Sequence, residues 1–199
     1  MASRNAGPGG HRGHTDAEHL LEERGEGHAK PHFRWPGQAG RIAVTGAEEL
    51  SALIRPSGFY RQKSARLISF SKAVCSAGGL MALSGDEERA ERVLSSISGG
   101  VGRETLTSIM LYALNFRRFV VDKYTLRVFS RLGLGDFSRN TRALEDMVLG
   151  GEREWTVDEL KNYHACIVEL AKEHCRKEPV CTGCPLSDAC SYAMERMFP

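Results

Sequence analysis

The sequence predicts an all-α chain, and three observations carry that expectation. Beyond residue 45, apolar residues recur at helical rather than alternating spacing. Capping and breaking residues bound the resulting stretches. The one strand-like run, 116–121, is too short and has no second run to pair with. In order, the spacing predicts a short helix over 48–54, ended by the Pro56-Ser57-Gly58 turn, and a second over 62–74 with Ala65, Ile68 and Val74 on one face. A third covers 86–97, with Ala90, Val93, Leu94 and Ile97 at i, i+3, i+4 and i+7. Helices over 104–114, 123–132 and 139–147 follow. Thr156 and Glu159 form a capping box that opens a long helix through Val157, Leu160, Tyr163, Ile167 and Leu170, delivering Cys175 to the next loop.

A chain of 199 residues, 41% hydrophobic and 26% charged, has the makeup of one large soluble domain or two small ones. Its net charge of +2 is too small to argue for a nucleic-acid partner by itself. No apolar run approaches the roughly 18–20 residues of a membrane span and no secretory leader is visible, so a cytoplasmic monomer without a membrane partner is expected. Residues 1–45 differ from the rest: they hold eight glycines and five of the seven histidines, without apolar periodicity. They read as an atypical, disordered segment. Residues 46–147 then read as a helical domain, and 148–199 as a C-terminal helix with a cysteine loop.

That loop carries Cys175, Cys181, Cys184 and Cys190 in a C-x5-C-x2-C-x5-C run, stiffened by Pro179 and Pro185. A 4Fe–4S cluster takes four cysteines in compact, proline-broken runs of this kind. A structural zinc also accepts four cysteines, commonly as two separated C-x2-C knuckles, whereas this chain has one. Spacing therefore favours the cluster, with zinc as the alternative and disulfides last. Cys75 and Cys166 read as small buried apolar residues.

Two further segments carry chemistry. In Gly99-Gly100-Val101-Gly102-Arg103-Glu104-Thr105 the glycines allow a tight turn between helices and leave the next helix's first N–H groups pointing outward, an anion site suited to a phosphate. About twenty residues on, Asp122 ends an apolar run and opens a helix. It has an N-cap role available, and a carboxylate so placed could equally stabilise a developing cation or activate water.

Taken together and in this order, these pieces resemble the helix-hairpin-helix DNA glycosylases of the endonuclease III family, over roughly residues 46–199. The resemblance implies two helical lobes, a six-helix barrel and an iron–sulfur lobe, with DNA in the cleft. It implies that Gly100, Val101, Gly102, Arg103 and Thr105 contact the DNA backbone, that Asp122 is catalytic, and that the four cysteines ligate a 4Fe–4S cluster. The family's commonest first cysteine spacing has six intervening residues, where this chain has five. The implied activity is base-excision repair: extrusion of a damaged base from duplex DNA and cleavage of its N-glycosidic bond, with Asp122 stabilising the oxocarbenium-like sugar.

Two departures shape the expectation. Bifunctional members carry a lysine in the helix after the hairpin, which forms a Schiff base before strand cleavage. Here that position is Glu104, so a monofunctional glycosylase near the alkylated-base branch is expected, with a bifunctional glycosylase and AP lyase as the alternative. Members also carry an earlier helix reading roughly L-T-Q-N-T-x-W-x-N-V, and residues 1–45 contain nothing like it. Read one base later, however, the codons for residues 14–29 can spell ILTQNTSWKNVEKAM. The segment up to about residue 40 is therefore expected to be a frameshifted reading of a gene that encodes that helix. Taken literally, a chain without it could be a noncatalytic DNA-binding iron–sulfur protein.

Overall fold

The computed structural model describes residues 37–97 and 99–197. Every regular element among them is helical. Two short helices, α1 (Gly37–Val44) and α2 (Ala47–Leu53), pack against the long α3 (Tyr60–Ser76). Next come α4 (Glu87–Ser95) and α5 (Arg103–Ser108), the latter running on into a π turn, Ile109–Ala113. The remaining helices are α6 (Lys123–Leu132), α7 (Thr141–Leu149), α8 (Val157–Glu173) and α9 (Ser191–Met197). No described helix is long and apolar enough to cross a membrane.

Helix ends follow local chemistry. Asp86 caps α4 by accepting from the Arg89 N–H, Asn140 caps α7 through the Ala143 N–H, and both halves of the Thr156–Glu159 box are formed at α8. Helix α6 stops at Gly133, where φ is 85° and a Cβ would lie 2.3 Å from the Ser191 hydroxyl. Only glycine meets both demands.

Two cores organise the chain. Leu83, Ala90, Leu94, Ile97, Leu106, Met110 and Leu114 form one around α4, α5 and the π turn. Phe119, Val120, Val128, Phe129, Leu144, Leu160 and Ile167 form the other around α6, α7 and α8. This second core also takes in Leu111, and the described residues pack as one compact unit. The run 116–121 is irregular: Phe119, Val120 and Val121 are apolar because they thread between helices.

Three expectations change. Residues 37–44, read as loop from their glycines, form α1 and bury Ala39 against α3; residues 1–36, with the proposed frame change, lie outside the described residues. Helix α3 turns Ser64, Ser71 and Val74 inward while Ala65 is exposed. Its inner face is small and polar because α1 and α2 approach closely, and the Ser64 hydroxyl is satisfied by Ser51 at 2.6 Å. Cys75 and Cys166 are exposed, not buried. Each follows or precedes a buried neighbour, Val74 and Ile167, and one residue of helix is about 100° of rotation.

Candidate active site

The turn between α4 and α5 uses its glycines unequally. Gly99 and Gly100 sit at φ 86° and 77°, where a side chain is strained, and the Gly100 N–H closes the turn on the Ile97 carbonyl at 3.1 Å. Gly102, the N-cap of α5, has φ −61° and ψ 157°, open to any residue, and a Cβ there meets nothing within 4 Å. The chain's own conformation does not demand glycine at 102; what glycine provides is an uncovered helix start. No side chain caps α5, and Leu106 is the residue whose N–H bonds back to Gly102. Glu104 and Thr105 are exposed in the first turn, and Val101 packs partly against the core. Arg103 turns inward to Glu145 on α7. Beside the turn lies a groove of about 380 Å³ lined by Leu67, Phe70, Val101 and Ile109, with Lys63 and Arg66 at its edge.

Asp122 takes the N-cap role open to it and does so with one oxygen. Its Oδ1 accepts from the Tyr124 N–H at 2.9 Å, the Thr125 N–H at 2.8 Å and the Thr125 hydroxyl at 3.0 Å, capping α6. Its Oδ2 takes no part in the cap and faces His164 Nε2 on α8 at 3.7 Å. Burial pushes the Asp122 pKa up, but the His164 imidazole and the Thr125 donors outweigh it and hold the carboxyl below its ordinary value. Asp122 is a carboxylate at neutral pH. His164 Nδ1 lies 2.7 Å from the Tyr112 hydroxyl, which the π turn directs onto α8. The hairpin and Asp122 are thus linked through one continuous segment: the helix that starts at the glycine turn carries Tyr112 to the histidine that faces Asp122.

The four cysteines line one cavity with Arg131, Pro179 and Tyr192. Among the described residues no three His, Cys, Asp or Glu side chains converge on a single-ion position, so the thiols share a cavity and not a point. Arg131 of α6 holds the loop: its guanidinium donates to the Cys175 sulfur at 3.3 Å and to the carbonyls of Arg176 and Lys177. Arg127 donates to the Cys175 carbonyl at 2.6 Å. Four thiols around one cavity with a cation against one sulfur fit a thiolate-ligated group.

The profile of the HhH-GPD superfamily of base excision DNA repair proteins matches residues 34–147, more than half of the chain. The chain belongs to that superfamily. The HhH-GPD match begins before the boundary expected at residue 46 and takes in α1. A protein of Methanocaldococcus jannaschii assigned as a DNA repair glycosylase is 37% identical over 153 residues, 75% of this chain and 69% of that protein. The thymine-DNA glycosylase of Aeropyrum pernix is 27% identical over 157 residues, 76% of this chain and 67% of its own. Among solved structures, endonuclease III in a non-covalent complex with DNA matches 93% of this chain and 80% of its own, with a TM-score of 0.61 at 22% identity. That likeness establishes the all-α helix-hairpin-helix glycosylase fold.

Sequence reasoning placed the hairpin, Asp122 and the cysteines. It missed Tyr112, His164, Arg131 and Glu145. Nothing in their spacing marks them: His164 adjoins the apolar Tyr163, and Tyr112 faces α8 through a π turn that helical periodicity does not predict.

Proposed function

We propose that this base-excision repair DNA glycosylase is monofunctional: it releases a damaged base from duplex DNA by N-glycosidic cleavage and leaves the strand intact. The observation that carries the reading is Glu104, exposed in the first turn of α5 where bifunctional relatives of the endonuclease III type present a lysine. The lysines on the elements around Asp122 are engaged. The Lys123 ammonium lies 5.1 Å over the Tyr124 ring, and Lys161 Nζ donates to Asn115 Oδ1 at 2.5 Å.

DNA reaches the site at the glycine turn, where the N–H groups ahead of Leu106 and the positive end of α5 meet a phosphate, and the open space at Gly102 admits it. The solved complex of endonuclease III with DNA supports this mode of binding. The target base is extruded, and Asp122 Oδ2 stabilises the positive charge that develops on the sugar as the base departs. We assign alkylated bases as the lesion class. Cys175, Cys181, Cys184 and Cys190 would hold a 4Fe–4S cluster, which, when bound, supplies a covalent staple for the 174–190 loop.

Borohydride reduction on an abasic-site duplex tests the central claim. The expected result is no covalent adduct from a preparation that does release base from methylated duplex DNA; a robust adduct overturns it. Iron and sulfide counted per chain test the cluster, and zinc in place of iron would reject it.

A further inference from the structure

His164 belongs to α8, far along the chain from both the hairpin and the α6 cap that it faces, and nothing in the packing of α8 calls for a histidine. Leu160, Ile167 and Ala171 form its buried stripe, and His164 lies beside it with a side chain only 12% exposed. Among the described residues its Nε2 is fully buried and has no hydrogen-bond partner. Leaving such an atom unpaired in a core is destabilising, so an imidazole aimed at one carboxylate oxygen has a use beyond packing. We propose that His164 is a positioning residue for base excision: it orients the one Asp122 oxygen that the helix cap leaves free, and Tyr112 sets which imidazole nitrogen faces that oxygen.

The hydroxyl of Tyr112 decides the tautomer. It has one proton and two acceptors, His164 Nδ1 at 2.7 Å and the Lys161 carbonyl at 3.3 Å. Spent on the nearer acceptor, that proton leaves the imidazole's own proton on Nε2, facing Asp122 Oδ2. At 3.7 Å the pair is longer than a hydrogen bond, as contacts in free enzymes commonly are before substrate tightens them. With Oδ1 pinned by three donors, Oδ2 has one remaining degree of freedom, rotation about the Oδ1 anchor, and the imidazole restricts it. A donor on Oδ2 also favours the charged form that a developing sugar cation needs. Tyr112 feels the same charge: burial and then Asp122 raise its pKa.

Other titratable groups within a turn of the pair are Lys123, Tyr124, Lys161, Tyr163 and Cys166. Lys123 is drawn to Tyr124, Lys161 to Asn115, and Tyr163 stacks on Trp155, while Cys166 is exposed. His164 is the group set against Oδ2.

The inference rests on the glycosylase reading for its catalytic consequence, so its test has an arm that needs no activity. In the free full-length protein, ¹³C NMR of the Asp122 carboxyl reads its titration in wild type, His164→Ala, His164→Gln and Tyr112→Phe. The midpoint is expected to rise by about one unit in His164→Ala, by less in Tyr112→Phe, and to return in His164→Gln, whose amide N–H replaces Nε2–H. On methylated duplex DNA, single-turnover base release by His164→Ala is expected to fall about tenfold at neutral pH, from lost alignment. The acid limb of its pH profile is expected to move to higher pH. Affinity for an abasic-analogue duplex should stay within about twofold, because the hairpin is untouched. An Asp122 midpoint unmoved in every variant overturns the inference, even where wild type releases no base and the glycosylase reading itself fails. A rate loss with an unmoved acid limb, equal in His164→Ala and His164→Gln, also overturns it, since that is the signature of a packing defect.

Discussion

Asp122 and Glu145 are both largely buried carboxylates, and they are held in opposite ways. Glu145, with a side chain only 4% exposed, is surrounded by cations: Arg103 from the hairpin helix pairs with its Oε2, and Arg118 lies 4.0 Å from its Oε1. Arg118 in turn binds Glu87 and Glu91 on α4, and its pKa, which burial would lower, is held up by those two charges. The network joins α4, α5, α7 and the 115–119 stretch. Asp122 has no such neutralising cage. Backbone N–H groups and a hydroxyl satisfy one oxygen, and the other is left to a histidine with which it makes no hydrogen bond. Fixed cations on both sides of a carboxylate make a joint. A cap on one oxygen makes a rigid carboxylate with its second oxygen still available, which is what stabilising a transient cation requires.

Three changes sharpen this comparison. The largest effect is expected from Asp122→Asn, which keeps the cap, since Asn serves as N-cap nearly as well, and removes the charge. Single-turnover base release should fall about 10²–10³-fold with DNA affinity retained; retained excision would make Asp122 a cap and nothing more. Glu145→Ala is expected to act on stability instead. Removing one partner leaves Arg103 and Arg118 facing a buried void, and because Arg103 is about a third exposed the cost should be about 2–3 kcal/mol in urea unfolding. The base-release rate per folded molecule should stay near wild type; a selective loss of rate would place Glu145 in the chemistry. The smallest effect is a pH signature. Since the folded Asp122 pKa lies below its ordinary 3.8, its contribution to stability is complete above that value and disappears as pH falls through the lower folded value. Unfolding curves should therefore show wild type and Asp122→Asn converging as the solution is acidified below pH 3.8, and a gap that persists in strong acid would contradict the assigned direction.

Much of the fold could be read before any coordinates. The 3.6-residue stripe through Ala90, Leu94 and Ile97, the capping box at Thr156 and the helix after Asp122 recur in the structure because each is a local signal, decided within one or two turns of chain. Helix α1 was hidden by glycines, and the inner face of α3 by serines. Both lack apolar contrast, because close helix packing selects small side chains there rather than large ones.

The site divides along the same line. The glycine turn, Asp122 and the four cysteines are motifs of short span, so residue type and spacing alone singled them out, and with them the family. Only tertiary structure decided that Arg103 turns inward to Glu145, that Arg131 braces the cysteine loop, and that Tyr112 and His164 stand behind Asp122. Each of those contacts joins residues 42 to 52 positions apart. Such pairings depend on how helices meet and on a π turn that shifts their register, and no pattern confined to one segment encodes either.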